Sequence, residues 1–339
     1  MNLGHHEQTL GVEHPFAEFI RILGKGKKGS RALTQDEAYR AMLMVLQNQV
    51  EPEQLGAFLM LMRIKEETAE ELVGFSQAAR EVSGATARQA LADLDWSSYA
   101  GKRRHLPWFL LSALLLAEQG IKVCMHGSAG QTAERLYTED VLSFLGLRAA
   151  TSLAEAETQL LQQSFCYLPL QLINARLYDI IELRSLMGLR SPIHTLVRLL
   201  NPFNAPYSIQ GIFHPSYRSV HQHAAAALGQ PHMAVLKGEG GETERNPDME
   251  CLVQSVHHGV LEDDLWPALF SRRHMKAESL DPQQLALFWQ GELTDDFGTA
   301  SVTGTCAIAL RLLGKADSQI EAQNLAEQLW DKRDKNRFA

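Results

Sequence analysis

Between Ser97 and Gly127 the chain sets out the parts of a phosphate-binding α/β unit. A loop, Ser97-Ser98-Tyr99-Ala100-Gly101-Lys102-Arg103-Arg104-His105, leads into the apolar block Leu106–Gln119. Gly120, a short apolar strand Ile121–Met125 and the pair His126-Gly127 follow. A phosphate cradle uses several glycines, because a Cβ keeps backbone N–H groups away from the anion. This loop has one glycine, Gly101, and three adjacent cations, Lys102, Arg103 and Arg104. The chemistry it suggests is attraction of a polyanion rather than enclosure of one phosphate group.

Two further segments have residue types suited to phosphate chemistry. Gly24-Lys25-Gly26-Lys27-Lys28-Gly29 matches a dinucleotide-binding pattern literally, but it follows a helical segment instead of a strand. It is either a cationic loop that meets a phosphate or a solvated linker between helices. Lys237-Gly238-Glu239-Gly240-Gly241-Glu242-Thr243-Glu244 follows an apolar strand, where ligands bind in open α/β sheets. Its acids, Glu242 and Glu244 above all, are weak candidates for holding Mg²⁺; the plainer alternative is a glycine-rich turn with solvated carboxylates. The histidines show no metal spacing: His221 and His223 are two apart, His257 and His258 adjacent. No Walker loop or Gly-x-Ser-x-Gly elbow occurs.

The elements that must position these residues fall into two textures. A polar, His-rich tail over 1–13 is expected to be disordered. Helical patterning runs from residue 14 to 83, with capping-box pairs at Thr34/Glu37 and Thr68/Glu71 and Pro52 at a helix start. It predicts a small helical domain. From 84 to 339 apolar strands (121–125, 165–170, 208–213, 233–237) alternate with helices, and three helices close the chain. The fold class is therefore α/β: a small N-terminal helical domain plus a larger α/β domain whose mainly parallel sheet is flanked by helices.

With 339 residues the chain has ample length for two unequal domains. Net charge is −8, which argues against a generally basic nucleic-acid binder but does not exclude a local basic groove. The cations are clustered: Lys25, Lys27, Lys28 and Arg31; then Lys102, Arg103 and Arg104; then Arg184, Arg190 and Arg198. Four scattered cysteines suit free thiols in a reducing compartment. No apolar run reaches membrane-span length, and the N-terminus lacks the parts of a signal peptide; a cytoplasmic protein is expected.

The order of the pieces resembles the anthranilate phosphoribosyltransferase family, a glycosyltransferase family whose relatives include the pyrimidine nucleoside phosphorylases. The resemblance runs from roughly Phe16 to Trp330. It is carried by Leu55-Gly56-Ala57-Phe58-Leu59-Met60, Arg63-Ile64-Lys65-Glu66-Glu67-Thr68, Lys122-Val123-Cys124-Met125-His126-Gly127, Met187-Gly188-Leu189-Arg190-Ser191, Asn201-Pro202 and Lys237-Gly238. It implies an active cleft between the domains and dimer contacts through the helical domain, joined in space by a helix near 170–187. Tyr99, Gly101, His126, Gly127 and Ser128 would then mark a former donor site, and Arg184 and Arg190 an acceptor site.

The departures from that family concentrate on the site. Its Gly-Thr-Gly-Gly-Asp cradle for phosphoribosyl pyrophosphate becomes Ser97–Arg104. Its Lys-His-Gly-Asn becomes Met125-His126-Gly127-Ser128, its metal-binding Asp-Glu becomes Thr243-Glu244, and its Gly-Pro becomes Val197-Arg198. Losing donors and metal ligands together removes orders of magnitude in rate. A divergent branch, similar in Gly24-Lys25-Gly26-Lys27 and in Met187-Gly188-Leu189-Arg190 to His194-Thr195-Leu196, is described as dimeric and DNA-binding without sequence preference. The resemblance thus implies an inactive transferase homologue with no catalytic residues and no cofactor. It would bind DNA, or single-stranded DNA or RNA, through Lys25, Lys27, Lys28, Arg31, Lys102, Arg103, Arg104, Arg190 and Arg198. The alternative is a phosphoribosyl- or glycosyltransferase with altered donor or acceptor, using Mg²⁺ only if that activity remains. A scaffold or ligand-sensing protein is a third class.

Overall fold

The computed structural model describes residues 13–130, 132, 134–277 and 279–338. Residues 1–12 of the expected tail lie outside the described residues. Four helices open the fold: α1 (Ala17–Gly24), α2 (Gln35–Leu46), α3 (Pro52–Lys65) and α4 (Ala69–Val82). Both expected capping boxes form: Thr34 accepts from the Glu37 N–H, Thr68 from the Glu71 N–H, and each Glu side chain reaches back to its cap. Pro52 occupies the first turn of α3. Phe16, Phe58 and Phe75 interlock edge-on at the centre of this bundle. Leu177, Ile180 and Ile181 from the later helix Ala175–Glu182 belong to the same buried cluster.

The second domain is built on a seven-stranded sheet. In chain order its strands are β1 (Leu94–Ser98), β2 (Val123–Gly127), β3 (Phe165–Pro169), β4 (Tyr207–Ile212), β5 (His232–Lys237), β6 (Cys251–His257) and β7 (Val260–Trp266). Their spatial order is β3-β2-β1-β4-β5-β6-β7. The first five run parallel, and β6 and β7 add an antiparallel hairpin. One face is covered by helix α5 (Trp108–Glu118), apolar on every side, which packs on helix Asp296–Leu312. On the other face helix Tyr217–Ala227 lies between the sheet and α4. There Tyr217 Oη donates to Glu67 Oε2 at 2.5 Å. No helix among the described residues is long and apolar enough to cross a membrane.

Strand order reverses direction between β1 and β4, so the loops after those strands diverge and open a crevice. Strand β1 itself was not expected, nor was the β6–β7 hairpin. β1 reads Leu-Asp-Trp-Ser-Ser and is buried throughout. Two of its polar side chains are satisfied sideways: Ser208 Oγ donates to Asp95 Oδ2 at 3.0 Å, and Ser98 Oγ shares a 2.8 Å hydrogen bond with Thr138, while Ser97 Oγ is buried without a partner.

Within the bundle α2 and α4 approach closely at Gly74. A Cβ on Gly74 would sit 2.3 Å from the Gln35 carbonyl oxygen and 2.7 Å from the Tyr39 nitrogen. Gly74→Ala is therefore expected to push α2 from α4 and destabilise the protein by about 1–3 kcal/mol in urea unfolding. An unchanged midpoint would contradict that packing.

Candidate functional site

Three loops meet at the crevice, following β1, β4 and β5. The loop after β1 turns its backbone N–H groups inward, and the loop after β5 meets them with carboxylates. Glu242 Oε1 accepts from the N–H groups of Ala100 at 2.5 Å and Gly101 at 2.6 Å. Glu239 Oε1 accepts from Arg103 N at 2.9 Å and Arg104 N at 2.7 Å. Glu244 Oε2 accepts from Phe109 N at 2.8 Å, in the first turn of α5. A helix N-terminus and a run of convergent N–H groups form an anion site. Here the anions are side chains of the same molecule.

The approach is possible because two glycines lie beneath it. A Cβ on Gly238 would come within 1.8 Å of the Glu242 carbonyl oxygen, and one on Gly211 within 2.3 Å of the Glu242 carbonyl carbon. Lys102 completes the closure. Its ammonium is 2% exposed, pairs with Glu239 Oε2 at 2.9 Å and hydrogen-bonds Glu244 Oε1. Burial works against the Lys102 charge, but the two carboxylates outweigh it and hold the ammonium above its ordinary range. Burial likewise opposes the Glu239 charge, yet Lys102 and the two N–H donors hold that carboxyl below its usual range.

This geometry corrects several expectations. Lys102 is not a free cation of a binding surface; it is consumed inside the loop closure. Glu242 and Glu244 do not converge on a cation site. Glu242 Oε1 and both Glu244 oxygens face N–H groups and an ammonium, which Mg²⁺ would have to displace, and only Glu242 Oε2 is buried without a partner, so the pair does not offer the several free oxygens the metal takes. Among the described residues no cluster of three His, Cys, Asp or Glu could hold a metal. Tyr99 and Trp108, the aromatic residues nearest the Lys102–Arg104 cluster in sequence, are 4% and 2% exposed and offer no open face for stacking.

The residues expected to mark a former donor site are gathered but sealed. Tyr99 Oη and His126 Nδ1 share a 2.6 Å hydrogen bond, and His126 Nε2 lies 3.2 Å from Asp95 Oδ1 without hydrogen-bond alignment. Burial and the nearby Asp95 charge push the Tyr99 phenol well up. Gly101, Gly127 and Ser128 are buried around this array. A Cβ on Gly127 would strike the Ser98 carbonyl oxygen at 2.1 Å.

Outside the closure lies a cleft of 880 Å³. Arg103, Arg104, Arg135, Arg218, Lys237, Arg273 and Lys276 line it, against three carboxylates, Glu239, Asp248 and Glu250. Glu239 is committed to Lys102, and Asp248 Oδ1 lies 2.6 Å from His274 Nδ1. Two expected residues, Arg103 and Arg104, are therefore present. The other five cations were missed because they come from four separate segments and only the fold assembles them.

Arg190 and Arg198 lie apart, with Arg63, Ser191 and His194, in a 110 Å³ cavity where α3 meets the α/β domain. Arg198 is buried and donates to the carbonyls of Gly211, His194 and Gly241, so it is not a surface cation. Burial, then the charges of Arg198, Arg184 and Arg135, pulls Arg190 down to about 10. Arg184 instead hydrogen-bonds Thr132. Lys25, Lys27 and Lys28 are exposed on the turn after α1 and line neither cavity, and Arg31 is paired with Glu37.

The comparisons with known proteins match this architecture. The helical bundle domain of a glycosyl transferase family matches residues 17–83, and that family's a/b domain matches residues 109–332, more than half the chain. The chain belongs to this glycosyl transferase family. Anthranilate phosphoribosyltransferase from Actinobacillus pleuropneumoniae is 27% identical over 312 residues, covering 88% of this chain and 92% of the relative. An uncharacterized protein of Aquifex aeolicus is 29% identical over 279 residues, covering 81% and 78%. Among solved structures, anthranilate phosphoribosyltransferase from Thermus thermophilus superposes with a TM-score of 0.77 at 20% identity, over 94% of each chain. The Saccharomyces cerevisiae enzyme in complex with phosphoribosyl pyrophosphate and Mg gives 0.75 at 16% identity, over 95% and 94%. The family's fold is thus preserved from end to end, while the loops after β1 and β5 close on each other.

Two outcomes follow from the charges. Lys102→Met leaves the buried Glu244 and the partly exposed Glu239 without their cation, and a loss of about 3–5 kcal/mol in urea unfolding is expected, most of it from Glu244. A loss below about 1 kcal/mol would contradict the buried trio. His194 and His221 are both pushed down to about 3, by burial first and then by arginine charges, Arg190 and Arg198 for His194 and Arg198 for His221. The unfolded chain binds their protons near the ordinary value of about 6.5, so stability falls as pH drops below that value toward 3. The melting temperature is expected to fall between about pH 7 and about pH 5, less steeply in His194→Gln. A flat wild-type profile would contradict neutral burial of both rings.

Proposed function

We propose that this protein binds the phosphate backbone of a nucleic acid through the cationic rim of the 880 Å³ cleft, and that it does not carry out ordinary phosphoribosyl transfer. One observation carries the reading. The backbone N–H groups after β1 already hold Glu239, Glu242 and Glu244, while Arg104, Lys237, Arg273 and Lys276 stand exposed around the cleft, beside an Arg103 paired with Glu134 and an Arg135 that donates to the Ala100 and Gly101 carbonyls. A transferase needs that cradle vacant and a carboxylate pair for the metal. A backbone binder needs spaced, exposed positive charge and no enclosure. An acidic total charge does not oppose this, because local potential governs encounter. Assembly as a homodimer belongs to the same reading, since two copies double the phosphate contacts.

A second reading has an observation of its own. The cavity between the domains gathers Arg63, Arg190 and Arg198 with no carboxylate among its lining residues. Desolvated cations of this kind suit an anionic acceptor. Together with relatives named as anthranilate phosphoribosyltransferases, this supports a transferase with an altered donor.

Fluorescence anisotropy with a labelled DNA oligonucleotide separates the two. Wild-type protein is expected to bind at low salt and to lose ~10³–10⁵ in affinity between about 50 and 200 mM salt. Replacing both Arg103 and Arg104 with Ala should weaken binding alike for all sequences and lower the log–log salt slope by about two. Absence of binding at about 50 mM salt would overturn the nucleic-acid reading.

A further inference from the structure

Two exposed large apolar side chains line the cationic cleft, Met249 and Phe213, and of these only Phe213 has an aromatic ring. Phe213 follows β4 directly, at the point where strand order reverses, and is 52% exposed. It lines both cavities and belongs to none of the buried apolar clusters. Among the described residues its only ring neighbour is His214, with centroids 4.8 Å apart and planes at 82°. An edge-to-face contact of that kind does not form a parallel stack, so Phe213 has no stacking partner within the described residues. Arg135, Arg218 and Lys237 line the same cleft. His105 lines it too, its ring already stacked on Phe297 at 4.0 Å and 20°.

An exposed phenyl ring among cations suits a ligand that has both an apolar plane and negative charge. A free phosphate or a base-free polyanion would use the cations and leave the ring wet. Duplex DNA presents phosphates but keeps its base faces inside the stack. An unpaired nucleotide offers both, a base face for Phe213 and flanking phosphates for the arginines. We propose that Phe213 is a base-stacking residue and that the cleft takes unpaired nucleotides of a single strand in preference to duplex. The proposal rests on the backbone-binding reading above.

The test measures anisotropy at one fixed salt concentration with four probes: oligodeoxythymidine, oligouridine, a DNA duplex of the same length, and competing inorganic polyphosphate. Wild type is expected to bind both single strands about tenfold tighter than the duplex. Phe213→Ala should lose about tenfold on the single strands and nothing on duplex or polyphosphate, because stacking is worth about tenfold or more per base. Phe213→Tyr should restore the wild-type preference. The residue is exposed, so all variants are expected to melt with wild type. If every probe binds alike and Phe213→Ala changes none of them, stacking is overturned and backbone binding survives. If no probe binds, the backbone reading falls and this proposal falls with it.

Discussion

Three glutamate carboxylates on five backbone N–H groups govern the rest of this structure. Glu239, Glu242 and Glu244 reach from the loop after β5 to Ala100, Gly101, Arg103, Arg104 and Phe109 in the loop after β1. Buried N–H groups must find acceptors, and convergent ones find anions. A carboxylate tethered in the same chain meets them at far higher effective concentration than a dissolved phosphate does. Lys102 pairs from within with two of the three glutamates, Glu239 and Glu244. The backbone positions that would enclose a ligand are therefore spent on joining two loops, and the charge left over is carried by side chains on the rim.

That arrangement separates what the fold requires from what the site does. The helical bundle, the parallel sheet and the switch between β1 and β4 are those of the glycosyl transferase family. Such a scaffold offers an opening between its domains, but function belongs to the residues placed there. Here Asp95, His126 and Tyr99 form a polar array that is closed from solvent. The cationic residues lie one layer further out.

Much of the scaffold was legible in the sequence because its signals are local. Thr34/Glu37 and Thr68/Glu71 announce helix starts within four residues, and the Leu106–Gln119 block announces a helix buried on all sides. Strand β1 was not legible because Asp95, Ser97 and Ser98 are polar, and their burial depends on partners more than a hundred residues away in one case. The β6–β7 hairpin was hidden by the acids Glu262, Asp263 and Asp264 on a mostly exposed edge strand. The site was legible only as a set of charges. Glu242 and Glu244 offered metal ligation or solvation, and Lys102 offered a free cation; their spacing gives no direction. The usable signal was a glycine-rich acidic loop after one strand set against a lysine in the loop after another. Phe213 gave no signal at all, since an apolar residue ending a strand is ordinarily core.

Self-occupation of the cradle is the claim on which the rest stands, and calorimetric titration with phosphoribosyl pyrophosphate in the presence of Mg²⁺ tests it most directly. Wild-type protein is expected to give no saturable heat up to millimolar donor, because Glu239, Glu242 and Glu244 already fill the N–H groups. Saturable, Mg²⁺-dependent binding in the micromolar range would contradict it.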